Sequence, residues 1–166
     1  MDMRLFKILL ILQLAVSAWA GPLDSGDVSS SARWVIHLDG EALWSSELGT
    51  QLTKILASPA IQAKLGAIKM LFGTDLTKDI HSITLYGPDG NDTQAVALVK
   101  GRMDRQKLVS LAVLTPRYEK MTAGESVIHQ WGDGGDKKTQ YMGFASDDKL
   151  VMSQSRSTVE ITLNVQ

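Results

Sequence analysis

Histidine is the side chain best able to move protons or hold a metal near neutral pH. This chain has three, His37, His81 and His129. Each falls in a stretch where polar and apolar residues alternate, so each is expected on a strand. Gathered beside a carboxylate, they would make a hydrolytic or metal centre. Their spacing matches no compact ligand motif such as H-x-x-x-H, and the chain has no cysteine to assist. No metal or other cofactor is expected, and the imidazoles stand as weak candidates for a catalytic site that only the fold could assemble.

The densest stretch is VIHQWGDGGDKKTQYMGF, residues 127–144, where Gly132-Asp133-Gly134-Gly135-Asp136 follows closely on His129. A calcium loop needs carboxylates at alternate positions and a distal bidentate glutamate. Asp133 and Asp136 are three apart and no glutamate follows. Val127, His129 and Trp131 alternate with Ile128 and Gln130, and Tyr141 and Gly143 alternate with Met142 and Phe144. Two alternating segments around a Gly/Asp-rich connection predict a β-hairpin, with the run as its bend.

Other chemistries leave weaker traces. Among the serines there is no G-x-S-x-G elbow, and Gly132, Gly134 and Gly135 lie between strands rather than before a helix, unlike a phosphate or dinucleotide loop. Asp79, Glu119 and Glu125 could pair as glycosidase carboxylates, but nothing in the sequence sets two of them across a cleft. Trp34, Trp44, Trp131, Tyr86 and Tyr141 sit at positions that favour packing over stacking on a ligand. No catalytic constellation emerges, so the chain does not read as an enzyme.

The elements that must position these residues follow from periodicity. A strand is expected over 33–38, with Trp34, Ile36 and Leu38 on one side and Arg33, Val35 and His37 on the other. Leu43, Trp44, Leu48, Leu52, Ile55 and Leu56 then form a helical stripe. Ser58-Pro59 starts a second helix, whose stripe is Ile61, Leu65, Ile68 and Phe72 and whose stop is Gly73. Both stripes are expected to pack on a sheet. Strands follow over 80–86 and 93–100, and Asp104 caps a helix bearing Leu108, Leu111, Ala112 and Leu114, ended by Pro116. Strands around 118–121, 126–131, 139–144 and 149–153 complete the pattern. Residues 157–166 read both ways: Ser157-Thr158-Val159-Glu160 is a capping box, yet Val159, Ile161, Leu163 and Val165 alternate.

This order predicts an α+β fold: a ferredoxin-like β-α-β-β-α-β core, an antiparallel sheet with helices on one face, extended by extra C-terminal β-hairpin strands. Size fits one domain. Residues 1–20 have the form of a signal peptide, with Arg4 and Lys7 before an apolar run and Ala18-Trp19-Ala20 before a cut between Ala20 and Gly21. The Gly/Ser/Asp-rich 21–32 reads as a flexible leader to a domain over 33–166. Cleavage would leave a net charge near −2, which disfavours nucleic acid, and no membrane span is expected after it. The absence of cysteine fits an exported bacterial protein, periplasmic or extracellular, without disulfides.

Gly101-Arg102-Met103-Asp104-Arg105-Gln106-Lys107-Leu108, together with Tyr118 and Val127-Ile128-His129-Gln130-Trp131, resembles a pattern in uncharacterised exported bacterial α+β proteins. The likeness is loose and spans residues 33–155. Such proteins are built from ferredoxin-like modules that usually occur twice, which implies that this chain corresponds to one half. Met103 and Arg105 stand where an aromatic and a proline are expected. The motifs are structural, so the resemblance carries over no catalytic residue. The expected function is a non-catalytic binding or assembly module of the bacterial envelope, with a protein partner or self-association. The alternative is an envelope hydrolase using His37, His81 or His129.

Overall fold

The computed structural model describes residues 23–90, 92–132 and 139–164. The expected signal peptide, its cut between Ala20 and Gly21, and the Asp133–Asp136 part of the bend lie outside the described residues. In chain order the elements are β1 (Trp34–Asp39), α1 (Gly40–Ser45), α2 (Glu47–Leu56), α3 (Pro59–Phe72), β2 (Ile80–Gly87), β3 (Val96–Gly101), α4 (Arg105–Val113), β4 (Glu119–Ala123), β5 (Ser126–Trp131), β6 (Gln140–Ser146), β7 (Lys149–Ser153) and α5 (Arg156–Asn164).

The fold is α+β. The strands form one seven-stranded sheet in the order β1-β2-β3-β7-β6-β5-β4, and every neighbouring pair is antiparallel. A ferredoxin-like core interleaves two β-α-β units, so that strands flanking a helix run parallel within the sheet. Here β1 and β2 flank the first helices and pair antiparallel over six residues. The arrangement therefore differs from the ferredoxin-like expectation, and a four-strand meander from β4 to β7 supplies the rest.

Register divides the side chains between two faces. One row crosses the sheet as His37, Thr84, Leu98, Val151, Gly143, Ile128 and Met121; the next is Ile36, Leu85, Ala97, Met152, Met142, His129 and Lys120. On the first face Leu98, Ile128 and Val151 pack with Val159 and Leu163 of α5. On the second, Met142, Phe144 and Leu150 pack with Ala112 and Leu108 of α4. Helices thus cover both faces, not one. The reason lies in β5, β6 and β7, which carry apolar residues at both parities, so water must be excluded from both sides.

Side chains of α5 resolve the two-way reading of residues 157–164 as helix. Ser155, just before it, accepts a hydrogen bond from the Thr158 amide at 3.3 Å. The alternation of Val159 and Leu163 with polar residues also fits a helix, and both are buried against the sheet. Gly143 makes that approach possible, because a Cβ there would sit 2.5 Å from Leu163 Cδ1 and 3.2 Å from the Val127 carbonyl oxygen.

The first helical stripe is split. Ser46 Oγ accepts from the Gly49 amide at 3.0 Å and so caps α2 separately from α1. Pro59 occupies the first turn of α3 and Gly73 ends it at φ 71°, as the sequence predicts. The expected stripe of that helix, Ile61, Leu65, Ile68 and Phe72, is half-buried, whereas Met70 and Leu71 are exposed and none of its residues is fully buried.

Candidate functional site

The fold spreads the three histidines apart. His37 lies on β1 and His129 on β5, on opposite faces. With five strand spacings between them in the sheet order, they are about 24 Å apart. His81 stands at the irregular start of β2, its Nδ1 4.0 Å from Glu41 Oε1. The convergence that a histidine-based hydrolase requires is absent from these positions. Among the described residues no group of three or more His, Asp or Glu could hold a metal ion.

Each imidazole has a local partner instead. His37 Nδ1 is hydrogen-bonded to Thr84 Oγ1 at 2.8 Å, the residue opposite it in the ladder. His129 is buried between β4 and β6; its Nδ1 lies 2.9 Å from the Tyr118 hydroxyl, and the two rings stack with centroids 5.9 Å apart. Burial lowers the His129 pKa from its ordinary value, and the positive charges of Lys120 and Arg105 lower it further. A neutral ring fits its position in the second core. The flanking β5 and β6 pair in register from Ile128 with Gly143 to Trp131 with Gln140, the expected hairpin.

The carboxylates and aromatics also have structural duties. Asp79 Oδ1 accepts from Arg102 at 2.9 Å and its Oδ2 from the Asp75 amide at 2.8 Å. Tyr86 is in the first core, Tyr141 packs against it, and Trp131 packs against the second. Trp34 lies over Gly87, where a Cβ would come within 2.9 Å of its ring, and its Nε1 donates to the Asp89 carbonyl at 2.5 Å.

A cluster that sequence reasoning missed lies under the leader. Asp24 caps a 3-10 turn at Ser25–Asp27, and Val28 and Ala32 pack on the first core. The leader, expected to be flexible, is thereby docked on the sheet. The Asp27 carboxylate is ion-paired with Lys100 and with Lys149, the latter at 2.8 Å; only 7% of its side chain is exposed. Burial alone would raise its pKa, but the two ammonium groups outweigh burial and hold it below its ordinary value. Lys100 and Lys149 are opposite one another in the β3–β7 ladder. That juxtaposition depends on register, so no local signal could have revealed it. A neighbouring cleft of about 230 Å³, lined by hydroxyls including Ser29, Tyr86, Ser155 and Thr162, falls below the ~300 Å³ at which small-molecule pockets begin.

The most anomalous surface is apolar. On β1, Ile36 is 61% and Leu38 44% exposed, and Leu85 of β2 lies beside Ile36 on the same face, also exposed. From α2 and α3, Leu48, Ile55, Met70 and Leu71 are exposed too, Met70 to 81%. Burying a side chain of this size is worth about 1.5–3 kcal/mol, most of which these exposed positions forgo. Among the described residues no single helix is long and apolar enough to cross a membrane; α2 and α3 pass that test only jointly and are bent by 92°. No protein-family model, curated protein or solved structure matches this chain.

Proposed function

We propose that the protein is an exported, non-catalytic binding or assembly module of the bacterial envelope, working through apolar surface rather than a reactive centre. The observation that carries this reading is the apolar surface of α2 and α3, where Leu48, Ile55, Met70 and Leu71 are exposed although Ile61, Leu65, Ile68 and Phe72 are half-buried. Extended apolar exposure on that scale marks an interaction site. The exposed residues of β1 and β2 add a flat apolar area of the same character. The module reading also draws on the form of residues 1–20 and on the resemblance described above. A histidine-based hydrolase gains no support from His37 and His129, which lie five strand spacings apart.

The test is a photo-crosslinking amino acid at Met70 or Leu71, in cells that export the protein. One discrete adduct is expected from those positions and none from a control at Glu125, in the β4–β5 turn. Turnover of esters, phosphates or peptides that disappears with His129→Ala would overturn the reading, as would Met70 and Leu71 crosslinking to nothing.

A further inference from the structure

The binding-module reading leaves the occupant of the apolar surface unnamed, and the inference here rests on it. β1 is an outer strand, paired with β2 on one side only, in a ladder unbroken over all six residues. Outer strands that resist pairing carry charges, proline or a bulge. The opposite outer strand, β4, has Glu119 and Lys120 among five residues. β1 reads WVIHLD, with charge only at Asp39 and at Arg33 just before it.

The strand is complementary to itself. A two-fold axis perpendicular to a sheet keeps each face on its own side, so residues brought opposite one another must share parity. With Ile36 opposite Ile36, Trp34 faces Leu38 and Arg33 faces Asp39, each twice. The apolar residues Trp34, Ile36 and Leu38 then form one cross-strand patch on one face, and the two Arg33–Asp39 pairs lie on the other face at the ends of the strand. Shifting the axis to His37 sets Asp39 against Val35, and shifting it to Val35 sets Arg33 against His37. Only the Ile36 register satisfies both the apolar and the charged positions. Asp39 uses one oxygen to cap α1, accepting from the Ala42 amide at 3.0 Å, and its second oxygen is the one offered to Arg33.

We propose that β1 is the joint of a homodimer, a second copy of this chain pairing with it antiparallel about Ile36 to double the seven strands into one continuous sheet. The bare apolar faces of β1 and β2 from both copies then merge into a plate four strands wide, about 19 Å by 20 Å. α3, with 14 residues, is about 21 Å long, a length that plate matches, and Met70 and Leu71 are its exposed apolar residues.

The absence of cysteine from the chain makes the register testable. In the proposed pairing the two Cα atoms of residue 36 lie about 4.5–5.5 Å apart, within the ~4.4–6.8 Å that a disulfide spans. Ile36→Cys is expected to convert almost fully to a covalent dimer on mild oxidation, while Leu114→Cys, at an 81% exposed position, stays monomeric. Sedimentation of the unaltered protein should give twice the chain mass. Arg33→Asp and Asp39→Lys each set like charges opposite one another and should weaken the dimer about ten-fold or more. Mixing the two variants restores both pairs in a heterodimer, so their association should recover; circular dichroism confirms that each is folded.

A monomer in sedimentation, or Ile36→Cys crosslinking no faster than Leu114→Cys, overturns the homodimer. If a crosslinker at Met70 then still gives one discrete adduct, or the monomer cosediments with anionic phosphatidylglycerol vesicles, the second copy is the wrong occupant and the binding-module reading stands. If it does neither, both fall.

Discussion

The Tyr118 hydroxyl and His129 Nδ1 lie 2.9 Å apart beneath α4, their rings stacked at 24°. This pair occupies the place where the sequence looked most reactive, and its chemistry is that of a satisfied core contact. Burial and then the charges of Lys120 and Arg105 lower the His129 pKa below 6.5. A group whose folded pKa is lowered in this way binds protons more readily when unfolded. Its stabilising share is therefore complete above about pH 6.5 and is lost as pH falls through the folded value. Melting temperature should decline below about pH 6.5, and His129→Gln should remove that part of the decline. Tyr118→Phe, which strands a buried ring nitrogen, should cost about 1–2 kcal/mol in urea denaturation.

Asp27 gives a second, more acidic transition. Its carboxyl is held below 3.8 by Lys100 and Lys149 against the opposing effect of burial. The stabilisation is present above about pH 3.8 and disappears as pH falls through the folded value. Asp27→Asn leaves two ammonium groups facing each other across β3 and β7 and should cost about 1–3 kcal/mol. Limited proteolysis should then cut the leader at Ser29–Ser31 faster than in the unaltered protein.

Gly143 and Leu163 should behave as a coupled pair. Gly143→Ala places a methyl 2.5 Å from Leu163 Cδ1 and 3.2 Å from the Val127 carbonyl, an overpacking expected to cost about 1–3 kcal/mol. Leu163→Ala should cost about 2–5 kcal/mol through the cavity it leaves. The double variant should be less destabilised than the sum of the two, by a double-mutant cycle in denaturant.

The core and the exposed side of α3 should respond oppositely to substitution. Ile128→Ala, at a fully buried position, should cost about 2–5 kcal/mol. Met70→Lys, at one of the most exposed positions, should change the stability of the isolated chain by no more than about 0.5 kcal/mol. A large loss from Met70→Lys in dilute protein would mean that Met70 is covered within its own chain.

Local patterns announced most of the elements. Pro59 and Gly73 bound α3 as their chemistry dictates, although the Ser58 side chain makes no capping bond. Asp104 caps α4 through the Lys107 amide at 3.0 Å. The strands fall near where alternation put them, except that β3 begins at Val96 and the start of its expected span lies in a 3-10 turn at Asp92–Gln94. Where two local signals competed, as over residues 157–164, the contest was decided by the fit of Val159 and Leu163 against the sheet. The separation of α1 from α2 at Ser46 was also masked, because the apolar stripe continues across the break and only the cap interrupts it.

The amino-acid order by itself determined the α+β class, the hairpin around residues 127–144 and the want of any compact catalytic motif, because each of these rests on spacing within a few residues. Tertiary structure alone decided that His37 and His129 face opposite sides of the sheet, that Asp27 is clamped by Lys100 and Lys149, and that Met70 and Leu71 of α3 stay exposed. Those outcomes depend on strand order and register, which arise from burying apolar residues on both faces of β5, β6 and β7 at once. No window of neighbouring residues encodes that requirement, so only the assembled sheet could reveal it.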